Sequence, residues 1–155
     1  MATSRLLQRL DTGDSTSSNR RQIETFKVDT SSGAVSISKG DVLAFDLNQT
    51  DFGDKVLFVQ LADLADTTAF RAVGVAAADY SFGQNEDAKV DVVVAGLCDI
   101  KVAANTIAGE GLVISATPGQ ADTYAAAAVT PYIATALEAT AASPGVIKGI
   151  FLPQF

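Results

Sequence analysis

Polar and apolar residues alternate along much of this chain. The clearest run covers residues 90–102, where most apolar side chains fall on even positions and Gly96 is the one even position without one. A period of two is that of a β-strand, whose successive side chains point to opposite faces. Because a typical strand has about five or six residues, the run predicts two strands, with Gly96 at a bend, a bulge or a tight hairpin.

Shorter runs predict further strands before and after this one. Phe26 and Val28 alternate with charged residues, and residues 145–152 form a last apolar run. Residues 55–61 are almost continuously apolar, which predicts either a fully buried strand or an interface packed against a sheet. Short strands separated by glycine-containing turns predict an all-β fold, a compact β-sandwich or barrel of mostly antiparallel strands.

One short phrase occurs twice, at residues 37–43 (ISKGDVL) and at residues 106–112 (TIAGEGL). Each copy combines a polar turn, a glycine followed by an acid, and an apolar strand. Glycine supplies the backbone freedom that such a turn needs. The copies are spaced unevenly relative to the small-residue strands that follow them, at 71–76 and 133–139. They therefore predict two similar turn-and-strand units rather than a strict repeat.

The beginning of the chain differs from the rest. Residues 11–22 are polar and lack a hydrophobic period, which predicts a flexible basic arm over residues 1–22 before a single β-domain over residues 23–155. The net charge is −7, yet residues 1–27 hold five basic and three acidic side chains. An acidic body argues against nucleic acid as a partner, because such binding needs a dense basic patch. No apolar run is long enough to span a membrane, so no membrane partner is predicted.

Few residues offer catalytic chemistry. The chain has one cysteine, Cys98, and no histidine, which excludes an intrachain disulfide, a cysteine–histidine metal site and a histidine-activated thiol. Cys98 is therefore expected to be a small buried hydrophobe. Ser36 and Lys39 match a Ser-x-x-Lys motif, but they lie in a strand pattern, whereas the acylating motif opens a helix.

Carboxylates are the remaining candidates. Asp46, Asn48 and Thr50 resemble the start of a calcium loop, but Asp51 and Leu57 stand where that loop needs glycine and glutamate. Acidic side chains are numerous, and no pair of them marks a cleft. The sequence therefore predicts a protein that is not an enzyme and uses no cofactor or metal. An enzyme that works with carboxylates alone stays open as an alternative.

Several stretches, taken in order, are similar to the decoration, or cement, proteins of tailed-bacteriophage capsids. They are residues 19–26 (NRRQIETF), 40–43 (GDVL), 73–76 (VGVA), 92–96 (VVVAG), 108–113 (AGEGLV), 117–120 (TPGQ) and 136–139 (ALEA). Their order and spacing carry the resemblance, which covers most of the chain. It implies a small all-β structural protein without catalytic residues or a cofactor.

The resemblance also implies a place and partners. Such a protein is made in the cytoplasm of the host bacterium and lies on the outer surface of the capsid in the virion. There it binds the major capsid protein, bridges neighbouring subunits and stabilises the shell, and it associates with itself as a homotrimer or a dimer. A head fibre, an adhesin or a tail-associated β-module of a virion is the alternative that shares these features.

The basic arm is the predicted contact with such a partner. The residues expected to bind it are Arg5, Arg9, Arg20, Arg21 and Phe26. Arginine forms charge-assisted hydrogen bonds with carboxylates, and a flexible arm becomes ordered when it binds. Many weak contacts repeated around a shell add up through multivalency.

Overall fold

Eleven β-strands and one helical turn form the part of the protein that the computed structural model describes, residues 21–69, 71–124 and 131–152. The strands are β1 (Arg21–Val28), β2 (Val35–Ile37), β3 (Val42–Phe45), β4 (Val59–Leu61), β5 (Ala72–Ala76), β6 (Tyr80–Phe82), β7 (Ala88–Val102), β8 (Gly111–Ile114), β9 (Ala121–Thr123), β10 (Ala134–Ala136) and β11 (Gly145–Phe151), and the helical turn is α1 (Phe52–Lys55). Nine strands form one sheet, while β2 and β6 pair separately. The prediction of an all-β fold is confirmed, and of the two architectures predicted the sheet contains a closed barrel.

The longest strand, β7, corrects the prediction of two strands between residues 90 and 102. It runs without a break over 15 residues. Gly96 lies in it with a φ of 98°, and the pairing with β1 shifts between Gln22 and Ile23, which leaves Val94 as an extra residue. This is a β-bulge, which bends a strand without ending it. Both halves stay in the sheet because each pairs with neighbours of its own.

The second half of β7 closes a five-stranded barrel. It pairs with β11, and β10, β8 and β9 follow in order, each antiparallel to the strand before it. β9 then returns to β7 through a parallel pair between Val102 and Ala121. We call residues 96–152 the C-repeat.

The first half of β7 belongs to a second unit with the same strand order. Here β7 pairs with β1 on one side and with β5 on the other, and β3 and β4 follow β5. β4 returns towards β1 at a parallel bridge between Lys27 and Phe58. We call residues 21–95 the N-repeat. β7 is long because it is the last strand of the N-repeat and the first strand of the C-repeat.

The two repeats agree in register as well as in strand order. The corresponding pairs are Val42–Val75 and Gly111–Thr135, Leu43–Gly74 and Leu112–Ala134, Leu43–Leu61 and Leu112–Thr123, Val75–Val93 and Thr135–Ile150, Phe26–Val90 and Ile100–Ile147, and Ile37–Tyr80 and Thr106–Thr140. The prediction that the doubled phrase marks no strict repeat is therefore wrong for strand pairing. The spacing is uneven because the connections differ in length: residues 46–58 join β3 to β4, whereas residues 115–120 join β8 to β9.

Each repeat has its own hydrophobic core, built from equivalent positions. The equivalent core residues are Phe26 and Ile100, Val28 and Val102, Leu43 and Leu112, Val59 and Ala121, Val73 and Ile133, Val90 and Ile147, and Val94 and Phe151, none of them more than 8% exposed. β-Branched and other compact apolar side chains suit the interior of so small a barrel.

The C-repeat also covers the outer face of the N-repeat sheet. We define the N-face as Val42, Ala44, Ala62, Ala72, Val75 and Val93; none is more than 6% exposed, and all belong to the same hydrophobic cluster as the C-repeat core. Backbone hydrogen bonds hold this contact in place. The Val42 N–H donates to the Gly119 carbonyl (2.8 Å), and the Gly119 N–H donates to the Ala62 carbonyl (2.9 Å). The N-repeat sheet is thus buried on both sides.

The apolar run at residues 55–61 is mostly not a strand. Asp51 caps α1 by accepting a hydrogen bond from the Gly53 N–H (2.7 Å), so the chain makes a helical turn where a strand would begin. Val56 and Leu57 are 56% and 50% exposed. A fully buried strand is therefore the wrong interpretation of this run, because only its last three residues form a strand and Phe58 adds a single bridge to Lys27.

Candidate interaction surfaces

The doubled phrase forms the same turn twice. Gly40 and Gly109 both adopt a φ of 90°, which favours glycine. In the first turn the Asp41 carboxylate accepts a hydrogen bond from the Ser38 N–H (2.7 Å). In the second the Glu110 carboxylate accepts one from the Ile107 N–H (2.8 Å). The acid after each glycine therefore closes its turn, which makes it a structural group.

Acidic side chains have this role in many other loops of the described chain. Carboxylates that accept a hydrogen bond from a nearby or facing backbone N–H belong to Asp29, Asp46, Asp51, Asp63, Asp66, Asp79, Glu86, Asp122 and Glu138. Many of the acidic side chains thus stabilise turns and loops through these hydrogen bonds. Within residues 21–69, 71–124 and 131–152, no group of three or more His, Cys, Asp or Glu side chains is arranged to hold a metal ion.

Cys98 is buried, as predicted. It belongs to the hydrophobic cluster of the C-repeat core, with Sγ 3.9 Å from the Gly149 carbonyl oxygen. Burial raises the pKa of the thiol to about 12. A thiol that stays protonated and enclosed is a poor nucleophile, so its role is to fill the core.

A groove of about 540 Å³ lies where the two repeats meet. Its charged centre is Asp99 on β7, which pairs with Lys39 at 2.7 Å and with Lys148 on β11. Burial acts to raise the pKa of Asp99, but hydrogen bonds from Lys148 and Lys39 outweigh it and hold the pKa below its ordinary value of 3.8. The hydrogen bond to Asp99 in turn raises the pKa of Lys148 above 10.5. The cluster joins the first turn to two neighbouring strands of the C-repeat, β7 and β11.

We expect this cluster to make the fold sensitive to acid. Because the pKa of Asp99 is lower in the folded chain, ionised Asp99 contributes its full stability above pH 3.8, and that contribution is lost as the pH falls through the folded value. Urea unfolding across the acid range measures the loss. Asp99→Asn should remove this part of the pH dependence, whereas Asp87→Asn, whose exposed carboxylate pairs with Lys89 at 3.2 Å, should leave it in place. Equal acid dependence in wild type and Asp99→Asn would contradict the assignment.

The predicted contact residues fall in different places. Arg5, Arg9 and Arg20 lie outside the described residues, as does most of the predicted arm over residues 1–22. Arg21 is exposed, begins β1 and lines the groove near Asp99. The prediction that Phe26 is a contact residue does not fit its position. Phe26 is only 8% exposed, and its ring packs edge-on against Phe45 in the N-repeat core, with 6.3 Å between the ring centroids. Its alternation with polar residues reflects a strand that buries one face.

Exposed apolar side chains form two further surfaces, one on each repeat. On the N-repeat, Phe52 is 85% exposed beside Val56 and Leu57, and we call these residues, with Lys27, the α1 surface. On the C-repeat, Tyr132 and Ile150 are 46% and 40% exposed. The predicted interface at residues 55–61 was the one sequence signal for the first. Nothing in the local pattern marks the second, since its residues alternate like any other strand.

None of the helices within the described residues is long and apolar enough to cross a membrane.

No protein-family model matches the chain, and no curated protein matches it in sequence. Among solved structures, the head fiber gp8.5 N base of bacteriophage phi29 has a similar fold, with a TM-score of 0.56 and 12% sequence identity. The match covers 84% of this chain and 95% of that chain. At this identity the likeness establishes the fold.

Proposed function

We propose that this protein is a structural component of a phage virion that binds the outer surface of the capsid and stabilises it by bridging neighbouring major capsid subunits. The observation that carries the proposal is the likeness in fold to the phi29 head fiber base, which extends over 84% of this chain. Many of the described carboxylates accept hydrogen bonds within turns, so few are left for acid–base chemistry, which favours a structural role over a catalytic one.

The exposed apolar surfaces support a function that depends on binding other proteins. The α1 surface presents Phe52, Val56 and Leu57 to solvent, and apolar side chains grouped on a surface mark interaction sites. Arg21 adds a cation at the edge of the groove. Partners in this proposal are the major capsid protein and further copies of this chain, as a homotrimer or a dimer.

Binding to purified shells tests the proposal. Shells assembled from the major capsid protein that belongs with this chain are mixed with the purified protein, sedimented and imaged. We expect saturable occupancy at regular lattice positions and a higher rupture temperature in calorimetry, because a bridged shell must break additional contacts. Absence of the protein from sedimented shells at all concentrations would refute it.

The basic arm is expected to contribute to this binding. Arg20→Ala combined with Arg21→Ala should lower occupancy, and more so at low ionic strength, because salt screens exposed charges. Lys89→Ala is the matched control, since it removes an exposed cation whose ion pair within the described part of the chain is with surface Asp87. Equal occupancy of the arm variant and wild type at low and high salt would exclude a role for these arginines.

The base of a head fibre is the second candidate, favoured by the description of the phi29 structure as a head fiber base. The two candidates differ in what occupancy does to the shell. A bridging protein raises the rupture temperature, whereas a fibre base decorates the head and leaves that temperature unchanged. Images of intact particles separate them as well, since density that protrudes as a fibre favours the second candidate.

A further inference from the structure

The C-repeat leaves partly exposed the face that the N-repeat buries, with Tyr132 and Ile150 as its exposed side chains. By strand register, the positions equivalent to the N-face are Gly111, Val113, Tyr124, Tyr132, Thr135 and Ile150, which we call the C-face. The N-face is almost fully enclosed by the C-repeat, whereas Tyr132 and Ile150 of the C-face are 46% and 40% exposed. The Tyr124 and Tyr132 rings stack with centroids 4.3 Å apart, so a flat aromatic surface stands where the N-repeat has alanines.

Two elements of the C-repeat make the contact with the N-face. One is the connection at residues 115–120, which is bonded to Val42 and Ala62 through Gly119. The other is β7, where the Lys101 N–H donates to the Gly40 carbonyl (2.9 Å) and the Lys101 ammonium pairs with Asp41 at 2.7 Å. These elements define how one repeat seats on the next.

The N-repeat carries the equivalents of both elements on its α1 surface. Residues 46–58 replace the connection at 115–120, and they expose Phe52 (85%), Val56 (56%) and Leu57 (50%). Lys27 stands at the position of Lys101, since its pairing with Lys89 corresponds to that of Lys101 with Val146. Within one chain, the N-face and the C-repeat form a buried junction. The C-face and the α1 surface are the equivalents of its two halves, and both carry exposed side chains.

We propose that the C-face of one copy binds the α1 surface of a second copy, so that the junction within the chain is repeated between chains. The occupant of the C-face is therefore another molecule of this protein. The contact is heterologous, because two different surfaces meet, and successive contacts generate a closed ring or a filament according to the rotation between copies.

Charge agrees with this arrangement. The ion pair between Lys101 and Asp41 becomes a pair between Lys27 of one copy and Glu110 of the next, because Glu110 is equivalent to Asp41. Asp41 uses Oδ2 for its turn and Oδ1 for Lys101. Glu110 likewise uses Oε2 for its turn, and among the described residues it is in no ion pair.

The other positions of the junction differ in bulk and in charge. Tyr124 and Tyr132 stand where the N-face has Ala62 and Ala72, so the second copy would pack on aromatic rings. The Lys27 ammonium lies 5.7 Å from the centroid of the Phe58 ring and would have to reach Glu110 from there.

The ion pair between Lys39 and Asp99 of the internal junction has no counterpart between chains, because Ala108 and Thr25 stand at the equivalent positions. Both partners are replaced by uncharged residues, so neither is left as an unpaired charge. The Lys27 N–H already donates to the Leu57 carbonyl (2.8 Å). The junction between chains therefore repeats the apolar contact and one ion pair, but not the backbone bond made by Lys101.

Complementation between two variants tests the proposal on purified protein, independently of any capsid. Ile150→Asp disables the C-face and Phe52→Asp disables the α1 surface; both side chains are exposed, so the fold should be retained, as circular dichroism and urea unfolding check. In sedimentation velocity we expect wild type to form oligomers and each variant alone to sediment as a 16.0 kDa monomer. An equimolar mixture keeps one intact surface of each kind and should form a dimer of twice that mass.

The other outcomes overturn the proposal. A wild type that stays monomeric at all concentrations refutes it, and so does a mixture of the two variants that stays monomeric while wild type associates, since the contact is then not heterologous. Leu64→Asp is the matched control, because Leu64 is 44% exposed but belongs to neither surface, and it should associate like wild type.

The ion pair has a test of its own. Lys27→Gln and Glu110→Gln should each weaken association about two- to fivefold, the range for an exposed pair. Glutamine at position 110 keeps an oxygen for the Ile107 N–H and so preserves the turn. The double variant should associate no more weakly than either single one, because both remove the same contact. Additive losses would exclude the Lys27–Glu110 pair.

Discussion

Phe151→Ala is expected to lower the free energy of unfolding by about 3–5 kcal/mol, which is the usual cost of removing a buried aromatic ring. Phe151 ends β11, is 1% exposed and is one of the largest fully buried side chains among the described residues. It pairs with Gly96 at the bend of β7 and with Ala134 of β10. The ring therefore fills the barrel at the point where the two repeats share a strand.

The loss should appear as one transition of the whole protein. The C-repeat core and the N-face form a single hydrophobic cluster, so unfolding the C-repeat would expose the outer face of the N-repeat sheet. Urea unfolding followed by circular dichroism measures the change, and we expect a lower midpoint with an unchanged slope. A reduced slope or two separate transitions would contradict the coupling. Leu64→Ala, at an exposed position, should stay within about 0.5 kcal/mol of wild type.

Gly74→Ala is expected to destabilise the protein by about 1–3 kcal/mol, the usual cost of overfilling a core. A Cβ at this position would lie 2.4 Å from the Val93 carbonyl oxygen and 2.6 Å from Val92 Cγ1. Gly74 lies next to an irregularity of the sheet, because the pairing of β5 with β3 skips Val73. To accept a methyl group, β5 and β7 must move apart.

The sign of the change in stability shows which of two effects is larger, crowding in the folded protein or the lower entropy of the unfolded chain. Where a backbone has room, replacing glycine by alanine stabilises a protein by about 0.4–1 kcal/mol through the unfolded state. The C-repeat supplies the matched comparison, because the residue equivalent to Gly74 is Ala134, which lies on a regular pair with Phe151. Ala134→Gly should cost only about 0.5–1 kcal/mol. A neutral or stabilising Gly74→Ala, measured by urea unfolding, would show that β5 has space.

Prediction from sequence worked where the physical signal is local. Alternation of Phe26 and Val28 with charged residues placed β1, and the glycine-plus-acid pairs at Gly40 and Gly109 identified turns. It failed where two elements compete for the same residues. The period of two around Gly96 fits one bulged strand and a hairpin equally well, and only the partners on either side of β7 distinguish them.

Surfaces were harder to predict than strands. The position of Phe26 next to a basic arm in the sequence predicts a contact residue, but its ring is buried in the N-repeat core. Tyr132 and Ile150 carry no sequence mark of a surface. They stand out only after the register shows that their equivalents, Ala72 and Val93, are covered by the C-repeat.

The sequence by itself determined that this is an all-β chain with glycine-plus-acid turns and a buried Cys98, because alternation and turn chemistry act over a few residues. The tertiary structure alone decided that the chain is built from two register-matched repeats sharing β7. It also decided that Ala72 and Val93 are enclosed while their equivalents Tyr132 and Ile150 are exposed. These outcomes depend on contacts between residues far apart in the chain, which local periodicity does not encode.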